Sequence, residues 1–206
     1  MTPPVDSALL LKARRRHTVL AAILALPLLA VSRPQWAADG LAFQALFWLG
    51  QFLIVLGVCG RIYASCFVGG RKNQEIVRDG PFGVVRNPLY VASFMGLIGV
   101  GLSSGMASVA AGLALAFALY YPAVVAREEA FLAASFGQAY DDYRRQVPRW
   151  WPDWSRWNLP ESVPMNPVFP LRTLRDGLWF LAAGPLFAAL RAAQDGGFIP
   201  IYFVLP

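Results

Sequence analysis

Apolar residues gather in five runs along the chain, separated by short polar or charged segments. The runs cover residues 18–31, 41–59, 88–102, 106–126 and 178–190. A helix needs about 20 apolar residues to cross the hydrocarbon core of a bilayer, and only the second and fourth runs reach that length comfortably. The pattern predicts an all-α, polytopic membrane helix bundle with about five transmembrane helices.

The first run has a second interpretation. It follows a basic flank and ends near the small residues Ala30 and Ser32, which is also the pattern of a cleaved signal peptide. Because further apolar runs follow, a retained span is favoured, and cleavage stays the alternative.

Start and turn signals organise the middle of the chain. The Ser-Ser-Gly sequence at 103–105 predicts a tight turn, so that the third and fourth runs form an antiparallel hairpin. Asn87 before Pro88 predicts a helix start, because the Asn side chain can accept a bond from a free amide and Pro has no amide to leave unpaired. From 128 to 145 apolar residues recur at helical spacing, which predicts an amphipathic interfacial helix bent at Gly137.

Composition supports a membrane protein. The chain is 57% hydrophobic and 15% charged, with a mean hydropathy of +0.47, which is too apolar for a soluble domain of this size. No internal repeat divides it. One domain over residues 1–206 is predicted, with a core at about 60–152, N-terminal spans at 18–59 and a C-terminal extension at 153–206.

The basic residues predict an orientation. With the N-terminus inside, sixteen of the 18 Lys and Arg residues fall on the cytoplasmic side, and only Arg33 and Arg191 fall outside. The net charge of +6 therefore follows from topology and contact with membrane lipids, and no nucleic-acid partner is expected. Arg outnumbers Lys 16 to 2, as in GC-rich bacterial genomes, so a bacterial inner membrane is the expected location.

Residues for metal binding or hydrolysis are scarce. His17 is the single histidine and lies in the basic flank, and the spacing of Cys59 and Cys66 matches no metal pattern. A phosphate-binding loop and a dinucleotide-binding glycine pattern are both absent from the sequence. No metal site is predicted.

Charged and aromatic residues flank the predicted hairpin at its cytoplasmic end. Glu128 and Glu129 could neutralise an ammonium or sulfonium group, while Arg86 could hold a carboxylate and Tyr90 could stack on a base. The helical rise places Glu128 about 9 Å beyond the level of Arg86. The two motifs could therefore hold opposite ends of a nucleotide-sized ligand, and they need not touch each other. The alternative is that these residues only end two helices at the interface.

Four motifs carry a family resemblance, at residues 80–90, 127–129, 136–143 and 147–149. In order and spacing they resemble the isoprenylcysteine carboxyl methyltransferase family, whose fold is shared with phospholipid N-methyltransferases. The resemblance covers about residues 60–152. It implies a cytosol-facing pocket for S-adenosylmethionine, formed by the third and fourth spans and the helix after them, and a route from the bilayer for a lipid-like acceptor.

The resemblance implies site residues. Arg86, Pro88 and Tyr90 match the Arg-His-Pro-x-Tyr pattern of the family. The full set of candidate cofactor-binding residues is Arg86, Asn87, Pro88, Tyr90, Glu128, Glu129, Tyr140 and Tyr143. The candidate catalytic residues are Arg86, Asn87 and Arg149, the last as an anchor for an acceptor carboxylate.

Asn87 stands where the family has its histidine. Asn can donate and accept hydrogen bonds, but it cannot act as a base near pH 7. A carboxylate acceptor needs no base, whereas an amine must first lose a proton. Carboxyl O-methylation of an isoprenylcysteine-type group, on a prenylated protein or small molecule, is therefore the favoured function.

Three other functions stay open. The first is N-methylation of phosphatidylethanolamine-type phospholipids, which uses the same fold. The second is a membrane reductase that uses NADPH, and the third is a non-catalytic membrane protein. Binding of S-adenosylmethionine would separate the first from the other two.

Overall fold

The structure, a computed structural model, describes residues 26–71 and 74–206. Most of the first predicted span and all of the basic flank with His17 lie outside the described residues. The helices are α1 (Leu41–Val68), α2 (Pro81–Val84), α3 (Pro88–Ser103), α4 (Ala107–Phe136), α5 (Gln138–Gln146), α6 (Val168–Leu181) and α7 (Ala183–Asp195). A 3-10 turn covers Trp154–Arg156, and the strands β1 (Ser32–Pro34) and β2 (Phe203–Leu205) pair in parallel. The all-α prediction is confirmed, with this one short pair of strands added.

Two helices in the described part of the chain are long and apolar enough to cross a membrane. They are α1, with 28 residues, and α4, with 30; α3 is a shorter apolar helix of 16 residues. The predicted count of five spans is not confirmed. The predicted fifth span, residues 178–190, is divided between α6 and α7, because the helix is interrupted at Ala182. Pro185 accounts for the break, since it has no amide to donate to the carbonyl of Leu181.

Helix α1 extends well beyond the predicted end of the second span. The apolar run stops at Cys59, but the helix continues to Val68 and includes Arg61. The Arg61 guanidinium donates to the hydroxyl of Ser93 on α3 through Nη1. A partner on the neighbouring helix therefore lets a charged residue stay within a helix of membrane length.

Small residues bring α1 and α3 into close contact. A Cβ atom on Gly57 would lie 2.6 Å from the backbone nitrogen of Gly96, and one on Gly50 would lie 2.6 Å from that of Ser103. Such close approach of two helix backbones is possible only where side chains are absent. The contact fixes α3 against α1, and so fixes the residues at the start of α3.

The predicted hairpin of α3 and α4 is confirmed. The two helices are joined by a turn at 104–106, where Gly105 has a positive φ of 78°. The predicted bend at Gly137 is also confirmed, since this residue has φ +52° and separates α4 from α5. The prediction of one helix from 128 to 145 is wrong, because its first part completes α4. Helix α5 buries Tyr140 and Tyr143.

The opposite end of the bundle carries the two predicted outside cations. Arg33 pairs with Asp195 at 3.6 Å, and the Arg191 guanidinium lies 3.8 Å from the ring centroid of Phe43. The strands β1 and β2 close this end, with Ser32 opposite Phe203. The start of α3 and the end of α4 lie at the other end.

Candidate functional site

A buried carboxylate organises the end of the bundle where α3 begins. The Glu129 side chain is 9% exposed and is bound by two arginines. Arg149 contacts both oxygens, with Nε donating to Oε1 at 3.2 Å and Nη2 donating to Oε2. Arg86 Nη1 lies 3.7 Å from Oε1. A bidentate contact of this kind fixes the orientation of a carboxylate and stabilises its charged form.

Asn87 also contacts the Glu129 carboxylate. Its Nδ2 donates to Glu129 Oε1 at 3.2 Å and to the carbonyl oxygen of Arg149 at 3.3 Å. The predicted helix start is confirmed, since α3 begins at Pro88 with Asn87 as its cap position. The predicted side-chain cap is wrong, because the side-chain amide is directed toward Glu129 and only the backbone carbonyl of Asn87 accepts from the first turn.

Tyr90 and Glu128 form a second contact between α3 and α4. The Tyr90 hydroxyl donates to Glu128 Oε1 at 2.9 Å. With the contacts of Arg86 and Asn87 to Glu129, the structure brings the two motifs into direct contact, which the offset of about 9 Å did not require. Side chains on a helix tilt toward its N-terminus. Because α3 and α4 run in opposite directions, those of Tyr90 and Glu128 tilt toward each other and close the offset.

Tyr140 completes the group around the carboxylate. It is 1% exposed, and its pKa is raised by burial first and by the Glu129 carboxylate second, while the Arg86 charge acts in the opposite direction. We name Arg86, Asn87, Glu129, Tyr140 and Arg149 the Glu129 cluster. The hydroxyl of Tyr140 stays protonated there near neutral pH.

Two predicted site residues have structural contacts instead. The Tyr143 hydroxyl donates to the carbonyl oxygen of Phe82 at 2.8 Å, which ties α5 to α2. Burial raises the pKa of Tyr143. Pro88 is the first residue of α3 and contributes no polar group. A cofactor-binding role for either residue stays a prediction.

A hydrogen bond to Pro148, the residue before Arg149 in the chain, positions Arg149. The amide of Arg86 donates to the carbonyl oxygen of Pro148 at 2.8 Å, so the segment after α5 lies against the start of α3. The hydrogen bond to Glu129 raises the pKa of Arg149, so the guanidinium stays charged. Its side chain is 42% exposed, against 13% for Arg86, so Arg149 is the more accessible cation.

The charges and donors at this site fit S-adenosylmethionine. Glu128 and Glu129 are suited to an ammonium or sulfonium, and a guanidinium is suited to the cofactor's carboxylate. Arg86 Nε is buried and has no hydrogen-bond partner within the described part of the chain, which leaves a donor for an incoming acceptor atom. Among the described residues there is no group of three or more His, Cys, Asp or Glu side chains that could hold a metal ion.

Two arginines that make contacts with distant parts of the chain were not predicted as site residues from the sequence. Arg78 donates to the carbonyl oxygen of Ala139 at 2.7 Å and lies 5.9 Å from the ring centroid of Tyr143, and nothing in the sequence distinguishes it from the other arginines that we predicted to be cytoplasmic. Arg61 could have been found, because a charged residue next to a membrane-length apolar run is a functional candidate.

Comparison with known families gives one match to a family profile. The profile of the phospholipid methyltransferase family matches residues 36–139, a range that includes α3, α4 and the start of α5. No solved structure matches.

Three curated proteins are similar in sequence. The nickel-cobalt-cadmium resistance protein NccN of Alcaligenes xylosoxydans xylosoxydans is 32% identical, over 98% of this chain and 94% of its own length. The cobalt-zinc-cadmium resistance protein CzcN of Cupriavidus metallidurans is 34% identical, over 74% of this chain and 70% of its own length. The protein-S-isoprenylcysteine O-methyltransferase of Schizosaccharomyces pombe is 30% identical, over 48% of this chain and 44% of its own length.

Proposed function

Because the chain belongs to the phospholipid methyltransferase family, we propose that it transfers a methyl group from S-adenosylmethionine to a lipid-like acceptor in the membrane. The observation that carries this proposal is the Glu129 cluster, in which a buried carboxylate, two guanidiniums and an amide meet at one end of the hairpin. When bound, the cofactor supplies a methyl group on a positively charged sulfur.

Different residues of the chain would bind the different charged groups of the cofactor. Glu129 and the exposed Glu128 supply the negative charge for the cofactor's ammonium, and Arg86 supplies the positive charge for its carboxylate. The ring of Tyr90 offers a π-face to a cation. Arg149 is the partner that can leave Glu129 when an ammonium arrives, because it is the more exposed of the two arginines.

The favoured acceptor is a carboxylate of the isoprenylcysteine type. Such a carboxylate is already an anion near pH 7, so it needs no base, which suits a cluster with Asn87 in place of a histidine and with a protonated Tyr140. The similarity to an isoprenylcysteine O-methyltransferase supports this choice. Positioning donor and acceptor in a water-poor site would then provide most of the rate enhancement.

A second acceptor is supported by the family profile, which is that of phospholipid methyltransferases. With a phosphatidylethanolamine-type amine, the reaction would release a proton that the chain must hand to solvent. Glu128, exposed and bonded to Tyr90, is the carboxylate placed to pass it on.

The test is equilibrium binding of S-adenosylmethionine to the detergent-purified chain, with NADPH as the competing ligand. We expect micromolar binding of S-adenosylmethionine that Glu129→Gln weakens at least tenfold, since the amide keeps the shape of the carboxylate and loses its charge. Glu128→Gln, at an exposed position, tests the same electrostatics without burying an unpaired arginine. Glu161→Gln, an exposed glutamate of the 157–167 loop, is the matched control and should bind like the wild type.

Each outcome decides the proposal. Absence of binding, or tighter binding of NADPH, would remove the methyltransferase function. Equal affinity in wild type, Glu128→Gln and Glu129→Gln, with all three folded by thermal melting, would show that the cofactor binds elsewhere.

A further inference from the structure

A cavity of about 240 Å³ lies along α3, between α4 on one side and α1 and α6 on the other. Helix α6 belongs to the C-terminal extension, in which no family motif is visible. It is held against α1 by close packing, since a Cβ atom on Gly177 would lie 2.9 Å from a methyl group of Val58. The extension therefore lines one side of a cavity whose other sides are lined by α1, α3 and α4.

The cavity lining changes from polar to apolar along its length. Three helices each contribute a polar and an apolar residue four positions apart: Ser93 and Leu97 on α3, Tyr121 and Phe117 on α4, and Asp176 and Phe180 on α6. Four residues correspond to about 6 Å, or one helical turn. In every pair the polar residue is nearer the end of the bundle that holds the Glu129 cluster.

Arg61 supplies the positive charge at the polar end. Its guanidinium donates to the Ser93 hydroxyl, which itself donates to the carbonyl oxygen of Leu89 at 2.6 Å. Asp176 lies at the same end and is 62% exposed. A charged residue within a membrane-length helix is expensive to keep and commonly marks a ligand pathway.

The cavity lies next to the candidate cofactor site. Tyr121 lines the cavity, and its ring contacts that of Tyr90 with centroids 5.4 Å apart. The Tyr90 hydroxyl in turn donates to Glu128. Two aromatic rings thus lie between the polar end of the cavity and the carboxylates of α4.

We propose that this cavity binds the methyl acceptor, with Arg61, positioned by its hydrogen bond to Ser93, holding an oxyanion, carboxylate or phosphate, of an amphiphile whose chain passes Leu97. That the bound amphiphile is the methyl acceptor rests on the proposed function. The volume is below the roughly 300–1,000 Å³ of ligand pockets in general, so the cavity holds the headgroup and the first part of the chain while the remainder lies in lipid.

The test measures binding of N-acetyl-S-farnesylcysteine, a carboxylate, and of its uncharged amide to the detergent-purified full chain. We expect the acid to bind at least tenfold more tightly than the amide. Arg61→Met should abolish that preference and leave amide binding unchanged, and Arg61→Lys should restore part of it. Arg172→Met, at an exposed arginine of α6, is the matched control and should bind as the wild type does.

A second variant addresses the apolar end. Leu97→Trp should fill the cavity and weaken both probes, whether or not Arg61→Met folds well. Equal binding of acid and amide by the wild type would overturn the proposal, and so would undiminished binding by a folded Leu97→Trp protein.

A third probe separates the two sources of the oxyanion. Phosphatidylethanolamine in mixed micelles presents a phosphate for Arg61 and an ammonium for Asp176, so Asp176→Asn should weaken its binding if a phospholipid is the ligand. The binding of a carboxylate ligand should not be weakened by Asp176→Asn, because the substitution removes a like charge from the same end of the cavity. Arg61-dependent lipid binding without S-adenosylmethionine binding would retain this site and remove the proposed function, whereas cofactor binding with Arg61-independent lipid binding would do the reverse.

Discussion

Asn87 shows how one residue can carry both a fold signal and a site contact. Its backbone carbonyl accepts the first hydrogen bonds of α3, while its side chain donates to Glu129. The Asn-Pro pair identified the helix start from the sequence alone. It did not identify the direction of the side chain, because that depends on a carboxylate 42 residues away in the chain.

The same limit applies to Arg149. The sequence pattern placed Arg149 after α5. Its approach to Glu129 depends on the hydrogen bonds that the carbonyl oxygens of Pro148 and Arg149 accept from Arg86 and Asn87. The sequence thus predicted the members of the Glu129 cluster better than their contacts. Contacts across a hairpin depend on side-chain tilt and reach, which counting helical rise does not include.

A pH experiment on Tyr143 tests the buried hydroxyl. Because burial raises its pKa in the folded chain, the unfolded chain loses the phenolic proton first, near the ordinary pKa of about 10. Folded stability should therefore be fully present below about pH 10 and fall as the pH rises above it. The measurement is the melting temperature of the purified chain from pH 8 to 11.

Tyr143→Phe should change that profile in two ways. At pH 8 it should lose about 1 kcal/mol with the hydrogen bond to Phe82, and above pH 10 it should lose less further stability than the wild type. Tyr202→Phe, at a residue 71% exposed, should leave the profile unchanged. Parallel alkaline slopes for wild type and Tyr143→Phe would contradict the assignment.

At the scale of elements, helix ends were harder to predict than helices. Hydropathy ended the second span at Cys59, because Arg61 interrupts the apolar run, but a hydrogen bond to Ser93 lets the helix continue. Hydropathy also joined residues 178–190 into one span, because an average over apolar residues does not register the missing amide of Pro185. Both differences arise where the hydrogen bonding of a single residue outweighs the mean hydropathy.

The contact of α1 with α3 gives a prediction at this scale. Gly57→Ala would place a methyl group 2.6 Å from the backbone nitrogen of Gly96, so the helices must separate, at a cost of about 1–3 kcal/mol. Gly112→Ala on α4 is the matched control, since nothing lies within 4 Å of its Cβ position. It should be neutral or stabilise by up to about 1 kcal/mol.

Thermal melting and S-adenosylmethionine binding would measure both effects. We expect Gly57→Ala to lower the melting temperature and to weaken cofactor binding, because α3 carries Arg86 and Asn87 at its start. A Gly57→Ala protein as stable as Gly112→Ala would mean that the helices do not pack this closely.

At the scale of the whole molecule, the basic residues are distributed unevenly between its two ends. Two arginines, Arg33 and Arg191, lie at the end closed by β1 and β2, whereas the other end has Arg71, Arg78, Arg86, Arg149 and Arg156. The positive-inside rule then predicts that the Glu129 cluster faces the cytoplasm.

Cysteine labelling in intact bacteria would measure this orientation. In a Cys59→Ser, Cys66→Ser background, Ala37→Cys should react with a membrane-impermeant maleimide from outside. Ser155→Cys should react only after the cells are permeabilised. Both positions are exposed, so accessibility within the chain does not bias the comparison. The reverse labelling pattern would show that the protein has the opposite orientation in the membrane.

The Glu129 carboxylate on α4 is contacted by residues from two other stretches of chain, at positions 86–87 and at 149. A ligand that binds this carboxylate thus binds only the fully assembled fold, so folding and ligand occupancy are thermodynamically linked. Newly inserted chains would gain protection from proteolysis in proportion to the ligand available. If that ligand is the proposed methyl donor, the abundance of the protein in a cell would follow the supply of the donor.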